Sequence, residues 1–347
     1  MEDLISLADF EAAAVRTLDP PARAYYFGGA GDEITLRDNA AAWQRLAIRP
    51  RVLVGVAERD MSVTLLGERR EHPLVIAPMA VHALAHPDGE LATARAAAAT
   101  DTVMCISTFA SRSVEAVSAE TPSIPPWFQL YAFNDRGVTR ELIARAETAG
   151  CEALVVTVDL PVRPIREREQ RSPITADLGH VPATMTSAQF IALIEADLTW
   201  NDIERFASES SLPVIVKGIL APEDARLAAQ HGARGVVVSN HGGRQLDTAV
   251  ATADALPAIV QVLAGEIDVL VDGGIRRGTD VLKALALGAQ AVMVGRPVLW
   301  GLAASGADGT QRVLEILLSE LDTALALAGA PRTSDLDSSL LMRAPWA

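Results

Sequence analysis

The chain has 347 residues and a net charge of −14; half of its residues are hydrophobic and only 4% are aromatic. The acidic balance argues against a nucleic-acid partner, because phosphate binding needs concentrated Lys and Arg. A core built mainly from aliphatic residues favours closely packed parallel strands over an aromatic-rich sandwich.

The two ends of the chain and its cysteines predict where the protein works. Four acidic residues lie within the first 11 positions and the last residues read RAPWA, so we expect neither a secretory signal nor a targeting tail. No uncharged run of 18 apolar residues occurs, so no membrane span is expected. Cys105 and Cys151 lie in apolar runs and are expected to be buried free thiols. These features predict a soluble, cytoplasmic enzyme.

From residue 73 onward, short apolar runs alternate with stretches of helical periodicity. Most of the runs are nearly continuous in apolar residues, as in strands buried on both faces. There are eight of them, at 73–80, 102–108, 126–132, 153–159, 213–218, 235–240, 268–274 and 291–295. Eight strand–helix units in order predict an α/β fold, a closed (β/α)8 TIM barrel over residues 73–300 within a single domain of residues 1–347.

Three segments lie outside this repeat. Residues 1–72 contain helical pieces and a predicted hairpin around Ser62–His72, and we expect this N-terminal cap to cover the bottom of the barrel. Residues 160–200 form a long connection after the fourth strand; connections of this length in compact domains are usually lids or mobile loops, and we expect a lid. Residues 301–347 are predicted to form a C-terminal helix and tail.

Polar residues occur where the predicted strands end. Barrel enzymes carry their chemistry at the C-terminal ends of the strands, so side chains there converge on one mouth. A single polar residue at such a position could be structural, but a whole set predicts an active site. The set comprises Gln129, Tyr131, Asp159, Lys217, Asn240, His241, Asp272 and, directly after Gly295, Arg296.

Two glycine-containing turns predict an anion site. VDGGIRRG places Gly273 and Gly274 after the seventh strand, and VGRP places Gly295 after the eighth. Glycines let backbone N–H groups approach a phosphate, and barrels often bind phosphate at these two loops. Arg276 and Arg296 would add charge-assisted hydrogen bonds.

The exit of the sixth strand, SNHGGRQLD (239–247), is the most specific feature. It can present the His241 imidazole and the Arg244 guanidinium to one small ligand. Arg244 could hold a carboxylate through two parallel hydrogen bonds, worth about 1.5–3 kcal/mol. His241 would then reach the carbon or hydroxyl beside that carboxylate.

With these residues the chain closely resembles the family of FMN-dependent L-2-hydroxy acid oxidases and dehydrogenases. The similarity covers nearly the whole chain. It is carried by YYFGGAGDE (25–33), AHPDGELATARAA (85–97), WFQLY (127–131), TVDLP (157–161), LPVIVKGI (212–219), SNHGGRQLD (239–247) and VDGGIRRGTDVLKALALGAQAVMVGRP (271–297).

The resemblance implies an FMN site across the barrel mouth. Backbone of Pro78, Met79 and Ala80 would contact the flavin, and Lys217 would face its N1–C2 edge, where positive charge stabilises the anionic reduced ring. The remaining cofactor residues it implies are Ser107, Gln129 and Thr157 for the ring, and Asp272, Gly273, Gly274, Arg276, Gly295 and Arg296 for the ribityl chain and phosphate.

The resemblance also implies a substrate site for a small 2-hydroxy acid. Tyr25, Arg166 and Arg244 match carboxylate-binding residues, and Tyr131 matches a tyrosine near the substrate hydroxyl. His241 matches the catalytic base, and Asp159 matches the carboxylate that stabilises its imidazolium. The proton could leave carbon, as in a carbanion route, or oxygen, as hydride passes to the flavin; both routes need one base and one carboxylate clamp.

Several residues depart from the family pattern. Phe109, expected in the apolar wall of the substrate pocket, stands where glycolate oxidases have a tryptophan, and Met79 replaces a smaller residue. The family's V-L-G-R-R-E becomes Val-Arg-Pro-Ile-Arg-Glu at 162–167, which keeps Arg166 but places a proline before it.

The residue at position 80 bears on the electron acceptor. Ala80 is compatible with an oxidase that uses O₂ and gives H₂O₂, which we favour, and with a dehydrogenase that uses another acceptor.

Two other functions fit the sequence less well. Type-2 isopentenyl-diphosphate isomerases and nucleotide dehydrogenases bind FMN in similar barrels but lack the His-Gly-Gly-Arg sequence. A degenerate barrel acting as a scaffold is disfavoured by the intact set Tyr25, Tyr131, Lys217, His241 and Arg244.

By family analogy we expect a homo-oligomer, a tetramer, with no metal, nucleic-acid or membrane partner.

Overall fold

The computed structural model describes residues 4–181 and 186–346 of the chain. Short strands account for the sheet structure of these residues. They are β1 (Leu46–Ile48), β2 (Val63–Leu65), β3 (Glu68–Arg70), β4 (Leu74–Ile76), β5 (Val103–Ser107), β6 (Trp127–Leu130), β7 (Ala153–Thr157), β8 (Val214–Ile219), β9 (Gly235–Val238), β10 (Asp268–Val271), β11 (Ala291–Val294) and β12 (Leu341–Arg343).

Strands β4 to β11 form a closed barrel in which each strand pairs in parallel with the next, and β11 pairs with β4. Each of the eight predicted runs overlaps one of these strands, so the predicted (β/α)8 barrel is confirmed. Most of the predicted runs extend beyond the observed strands at their C-terminal ends; 126–132, for example, contains β6 at Trp127–Leu130. The surplus residues follow the strands and form the barrel mouth.

Helices surround the barrel and extend beyond it at both ends of the chain. The last of them bends where Ser305 and Gly306 leave the helical conformation. The helices are α1 (Leu7–Thr17), α2 (Pro20–Phe27), α3 (Ile34–Gln44), α4 (Glu90–Ala99), α5 (Val114–Ser118), α6 (Arg136–Thr148), α7 (Glu167–Arg171), α8 (Ser187–Ile191), α9 (Trp200–Glu209), α10 (Pro222–Gln230), α11 (Thr252–Leu263), α12 (Gly278–Ala286) and α13 (Arg296–Ala328).

The barrel interior is filled by its own hydrophobic cluster and is closed below by the β2–β3 hairpin. Leu65 of the hairpin is buried in the cluster that contains Val103, Ile215 and Leu270. The Leu66 backbone N–H donates to the Asp268 carboxylate, at the start of β10, over 2.6 Å. The hairpin predicted around Ser62–His72 therefore covers the bottom of the barrel.

The helices of residues 1–72 do not share that position, and here the expectation of a bottom cap is wrong. Asn39 of α3 exchanges two hydrogen bonds, of 2.8 and 2.7 Å, with Asn240 just after β9. Trp43 of α3 donates through Nε1 to the Gly273 carbonyl after β10. These polar contacts hold α3 against the loops at the C-terminal ends of the strands, so this segment contributes to the mouth.

The long connection after β7 is folded onto neighbouring loops. The Gly179 N–H donates to the Ala110 carbonyl, the His180 ring bonds the Thr108 carbonyl at 3.0 Å, and Phe190 of α8 is fully buried. Residues 182–185 of this connection lie outside the described residues. Its role as a lid stays a prediction.

Cys105 and Cys151 are both buried free thiols, as predicted. Among the helices of the described residues, we find none with the length and apolarity that crossing a membrane requires.

Candidate active site

The mouth of the barrel brings a histidine and an aspartate into direct contact. His241 lies three residues after the end of β9, and its Nδ1 is 2.8 Å from Oδ1 of Asp159, which lies two residues after the end of β7. His241 has φ +58°, a left-handed conformation that costs a non-glycine residue of order 1–3 kcal/mol and is concentrated at functional sites. With Nδ1–H donating to Asp159, the Nε2 lone pair is available to accept a proton.

The charges around this pair favour a neutral imidazole beside an ionised carboxylate. Burial lowers the pKa of His241, and the attraction and hydrogen bond of Asp159 offset only part of that effect. Burial opposes ionisation of Asp159, but His241 and Lys217 outweigh it and lower the pKa of this carboxyl. His241 is therefore in its base form at neutral pH, next to an anion that can stabilise the imidazolium.

A second charged pair lies one strand away. Lys217 on β8 is 3.0 Å from the Asp272 carboxylate after β10 and donates to Ser239 Oγ over 2.8 Å. Ser239 donates in turn to Asp272 and accepts from the His241 backbone N–H. Burial opposes the charge on Lys217, yet Asp272 and Asp159 raise its pKa, so the lysine is a fixed cation in the mouth.

Arg244 and Arg166 lie side by side at the rim. Arg244 Nη1 donates to the carbonyls of Tyr25 and Gly28, and its guanidinium stacks over the Tyr25 ring at 4.9 Å. Arg166 Nε donates to the Arg244 carbonyl over 2.8 Å. Two buried or half-buried guanidinium groups held this close form a site for an anion. The proline before Arg166 does not prevent this residue from reaching the site.

The apolar side of the same space is aromatic. Phe109 and Tyr131 stack with their ring centroids 5.0 Å apart. Phe190 of α8 packs edge-on against Phe109, at 6.1 Å. Burial and the charge of Asp159 raise the pKa of Tyr131 far above its ordinary value, so the phenol stays protonated and can donate a hydrogen bond.

The predicted anion site contains two arginines without a carboxylate partner among the described residues. Arg296 donates to the carbonyls of Tyr26 and Gly28, and Arg276 stacks over Trp300 at 4.8 Å. Burial, together with Arg244 and Arg276, lowers the pKa of Arg296 to about 9, which still leaves it charged at neutral pH. Both arginines line an open cavity of about 360 Å³. Uncompensated buried cations favour a bound anion.

The glycines of these turns are required by close contacts. Gly274 has φ +80°, and a Cβ there would lie 2.0 Å from the Asn39 carbonyl oxygen. Gly243 has φ +73°, and a Cβ would lie 2.5 Å from the Leu36 backbone nitrogen. Any side chain would push α3 away from the mouth. Gly295 instead lies beside the Met79 sulfur, 3.5 Å from where a Cβ would be.

Every residue predicted for the site lies at the end of a barrel strand or on a segment that contacts the mouth. Sequence reasoning missed residues that connect them: Ser239 between Lys217 and Asp272, Asn39 as the partner of the predicted Asn240, and Gln245, which accepts from Arg166 over 3.3 Å. Ser239 and Gln245 flank His241 and Arg244 in SNHGGRQ, and this closeness in sequence was the only signal that could have pointed to them.

Comparison with known proteins agrees with this arrangement. The family model described as FMN-dependent dehydrogenase matches residues 14–343. The chain belongs to this family. It is 46% identical to a Nostoc L-lactate oxidase, over 97% of this chain and 98% of that one, and 44% identical to human 2-hydroxyacid oxidase 2, over 97% and 98%. A solved mandelate oxidase with benzoyl-formic acid superposes with a TM-score of 0.88 at 44% identity, covering 95% of this chain and 96% of that one.

The residues at the mouth fit the FMN that the family uses. Among the buried polar side-chain atoms that have no hydrogen-bond partner in the described residues, four lie at the strand ends that form the mouth: Gln129 Nε2, Thr157 Oγ1, Asp159 Oδ2 and Asp272 Oδ1. Gln129 Oε1 is already engaged by Ser107 and the Thr108 N–H, so its amide N–H₂ is left to donate. A flavin ring offers the carbonyls and the N–H that such atoms require, and Arg276 and Arg296 fit its phosphate.

Proposed function

We propose that this chain is an FMN-dependent oxidase that converts an (S)-2-hydroxy carboxylic acid into the 2-keto acid. The observation that carries the proposal is the His241–Asp159 pair beside the Arg244–Arg166 anion site at one barrel mouth. Relatives named lactate, glycolate and 2-hydroxyacid oxidases support the reaction class. FMN, when bound, supplies the acceptor for the two electrons that leave the substrate.

Binding of the substrate carboxylate orients the reacting carbon. The Nε and Nη2 atoms of Arg244 make no hydrogen bond in the described part of the chain, so this edge can hold a carboxylate bidentately. Tyr25 lies under the same guanidinium, and Arg166 adds a second positive charge beside it. A carboxylate fixed there would place the neighbouring carbon and hydroxyl toward His241 and Tyr131.

His241 Nε2 accepts the substrate proton, from C2 or from the hydroxyl. The lowered pKa keeps the imidazole neutral before the reaction, and Asp159 stabilises the imidazolium that forms. A positioned base of this kind contributes about 10²–10⁴ in rate. Tyr131, held protonated, donates to the substrate oxygen as its charge changes.

Lys217 is assigned to the flavin. Its ammonium is fixed by Asp272 and Ser239, so it is a preorganised positive charge at the mouth. Such a charge stabilises negative charge that develops on a reduced ring without any rearrangement of the protein.

O₂ is proposed as the electron acceptor, giving H₂O₂. The oxidase names of the relatives support this choice, and the small Ala80 at the position assigned to the flavin is compatible with it. We also propose that the enzyme is cytoplasmic and a homotetramer; light scattering on the purified protein tests the second point, and a monomer would contradict it.

The direct test is anaerobic mixing of the purified yellow protein with (S)-lactate, glycolate, (S)-mandelate and longer 2-hydroxy acids. We expect at least one of them to bleach the flavin and to yield one keto acid per flavin. Admission of air should restore the oxidised spectrum and release H₂O₂. A protein that no 2-hydroxy acid reduces would contradict the proposal, and reduction without reoxidation by air would favour another electron acceptor.

A further inference from the structure

A carboxylate of the chain itself lies at the proposed substrate clamp. Glu169 belongs to the short helix α7 in the connection after β7, and its side chain is only 14% exposed. The segment that carries it is fixed against the mouth: Arg168 pairs with Glu33 at 2.5 Å, and the Ile165 carbonyl accepts from the Gly31 N–H. Glu169 is therefore a held group at this site.

The two arginines of the clamp differ in their partners: Glu169 neutralises Arg166, whereas Arg244 remains free to bind a substrate carboxylate. Glu169 Oε2 is 3.3 Å from Arg166 Nη1 but 3.8 Å from Arg244 Nη2, which is beyond hydrogen-bond distance. Arg166 also donates through Nε to the Arg244 carbonyl and through Nη2 to Gln245. All three of its nitrogens are engaged, whereas Arg244 keeps one free edge.

The charges at the clamp follow from this division. Two guanidinium groups and one carboxylate leave one net positive charge, which matches a substrate with one carboxylate. Arg163 also approaches Glu169, at 3.5 Å, but its side chain is 84% exposed and adds little to the charge of the enclosed site.

We infer that Glu169 determines substrate specificity, by occupying Arg166 and so restricting the clamp to 2-hydroxy acids that carry a single carboxylate. A hydroxy diacid such as (S)-malate brings a second negative charge toward a fixed carboxylate and finds no free guanidinium for it. This inference rests on the proposed function, because it assigns Arg244 and Arg166 to the substrate carboxylate.

The variant Glu169→Gln tests the inference, because it keeps the size of the side chain and removes its charge. Freed Arg166 can then accept the second carboxylate. We expect the ratio of kcat/KM for (S)-malate to that for (S)-lactate to rise at least tenfold, mainly through a lower KM for malate, as one gained charge-assisted hydrogen bond predicts. The matched control is Glu167→Gln on the same helix, where Glu167 pairs with the exposed Arg171; its ratio should equal that of the wild type.

Two results would overturn the inference. One is an unchanged ratio in Glu169→Gln. The other is an equal rise of KM for both substrates, which would mean that Glu169 only orients Arg166.

A binding measurement on the wild-type holoenzyme depends on neither turnover nor the folding of a variant. The protein is titrated with propionate, a monoanion, and with succinate, a dianion, and binding is monitored through the flavin spectrum. We expect weaker binding of succinate; tighter binding of succinate would overturn the inference. If no 2-hydroxy acid reduces the flavin, the proposed function fails, while this titration still tests whether the clamp disfavours a second carboxylate.

Discussion

His241 was predicted from its place in SNHGGRQLD, and the structure adds the features that the pattern did not contain. The left-handed backbone of His241 and its 2.8 Å contact with Asp159, 82 residues earlier in the chain, depend on how β7 and β9 meet at the mouth. Asp159 was assigned by resemblance, and its contact with His241 supports that assignment. Glu169 was not found, because its contacts with Arg166 and Arg244 arise only once the connection after β7 is folded.

The pKa of His241 makes a prediction about pH. The base form is neutral imidazole, and folding lowers the pKa of His241 below its ordinary value of 6.5. The active form is therefore retained as pH falls to 6.5 and is lost only below that value. We expect kcat/KM for the best substrate to be constant between pH 7 and 8, with an acid limb centred below pH 6.5. An acid limb centred above pH 7 would show that another group, or a differently placed histidine, governs the reaction.

Arg244→Lys tests the carboxylate clamp. A lysine keeps the positive charge but cannot make two parallel hydrogen bonds or stack over Tyr25. We expect KM to rise by about 10- to 100-fold, as the loss of a charged hydrogen bond worth about 1.5–3 kcal/mol predicts. Arg244→Lys should retain FMN, since Arg244 is not assigned to the cofactor. An unchanged KM would remove Arg244 from the clamp.

At the scale of elements, the eight strands could be predicted because nearly continuous apolar runs are typical of strands buried on both faces. The position of α3 could not. Nothing in ITLRDNAAAWQ indicates that Asn39 pairs with Asn240, about 200 residues away, or that Trp43 reaches Gly273. Contacts of this kind depend on the tertiary structure, and they are what brings the N-terminal helices to the mouth.

Gly274→Ala tests the packing of α3 against the loop after β10. The change combines a left-handed backbone with a clash against the Asn39 carbonyl. Gly150→Ala is the matched control, because Gly150 has φ +78° and open space around it. The control should cost about 1–2 kcal/mol of unfolding free energy from the backbone alone. Gly274→Ala should lower the unfolding free energy by a further ~1–3 kcal/mol, the usual range of overpacking. This variant should also bind FMN more weakly. Equal losses in urea unfolding would mean that the contact with α3 is not tight.

At the scale of the whole molecule, a barrel mouth with unpartnered buried groups should gain stability when its cofactor binds. A ligand at 100 times its Kd stabilises the folded state by about 2.7 kcal/mol. We expect the Tm of the FMN-depleted protein to rise on addition of FMN.

Riboflavin at the same concentration should raise the Tm less, because it lacks the phosphate that would neutralise Arg276 and Arg296. Replacing Arg296 with Met should remove most of the difference between the two flavins. Equal stabilisation of the wild type by FMN and riboflavin would place the phosphate away from these arginines.

The central claim is that His241 accepts the proton that a 2-hydroxy acid loses at this barrel mouth. Its most direct test is the rate of anaerobic flavin reduction in His241→Ala compared with the wild type, each loaded with FMN and mixed with the best substrate in a stopped-flow instrument. We expect the variant to stay yellow and to be reduced about 10²–10⁴ times more slowly, the contribution of a positioned base. Reduction of His241→Ala at the wild-type rate would contradict the account.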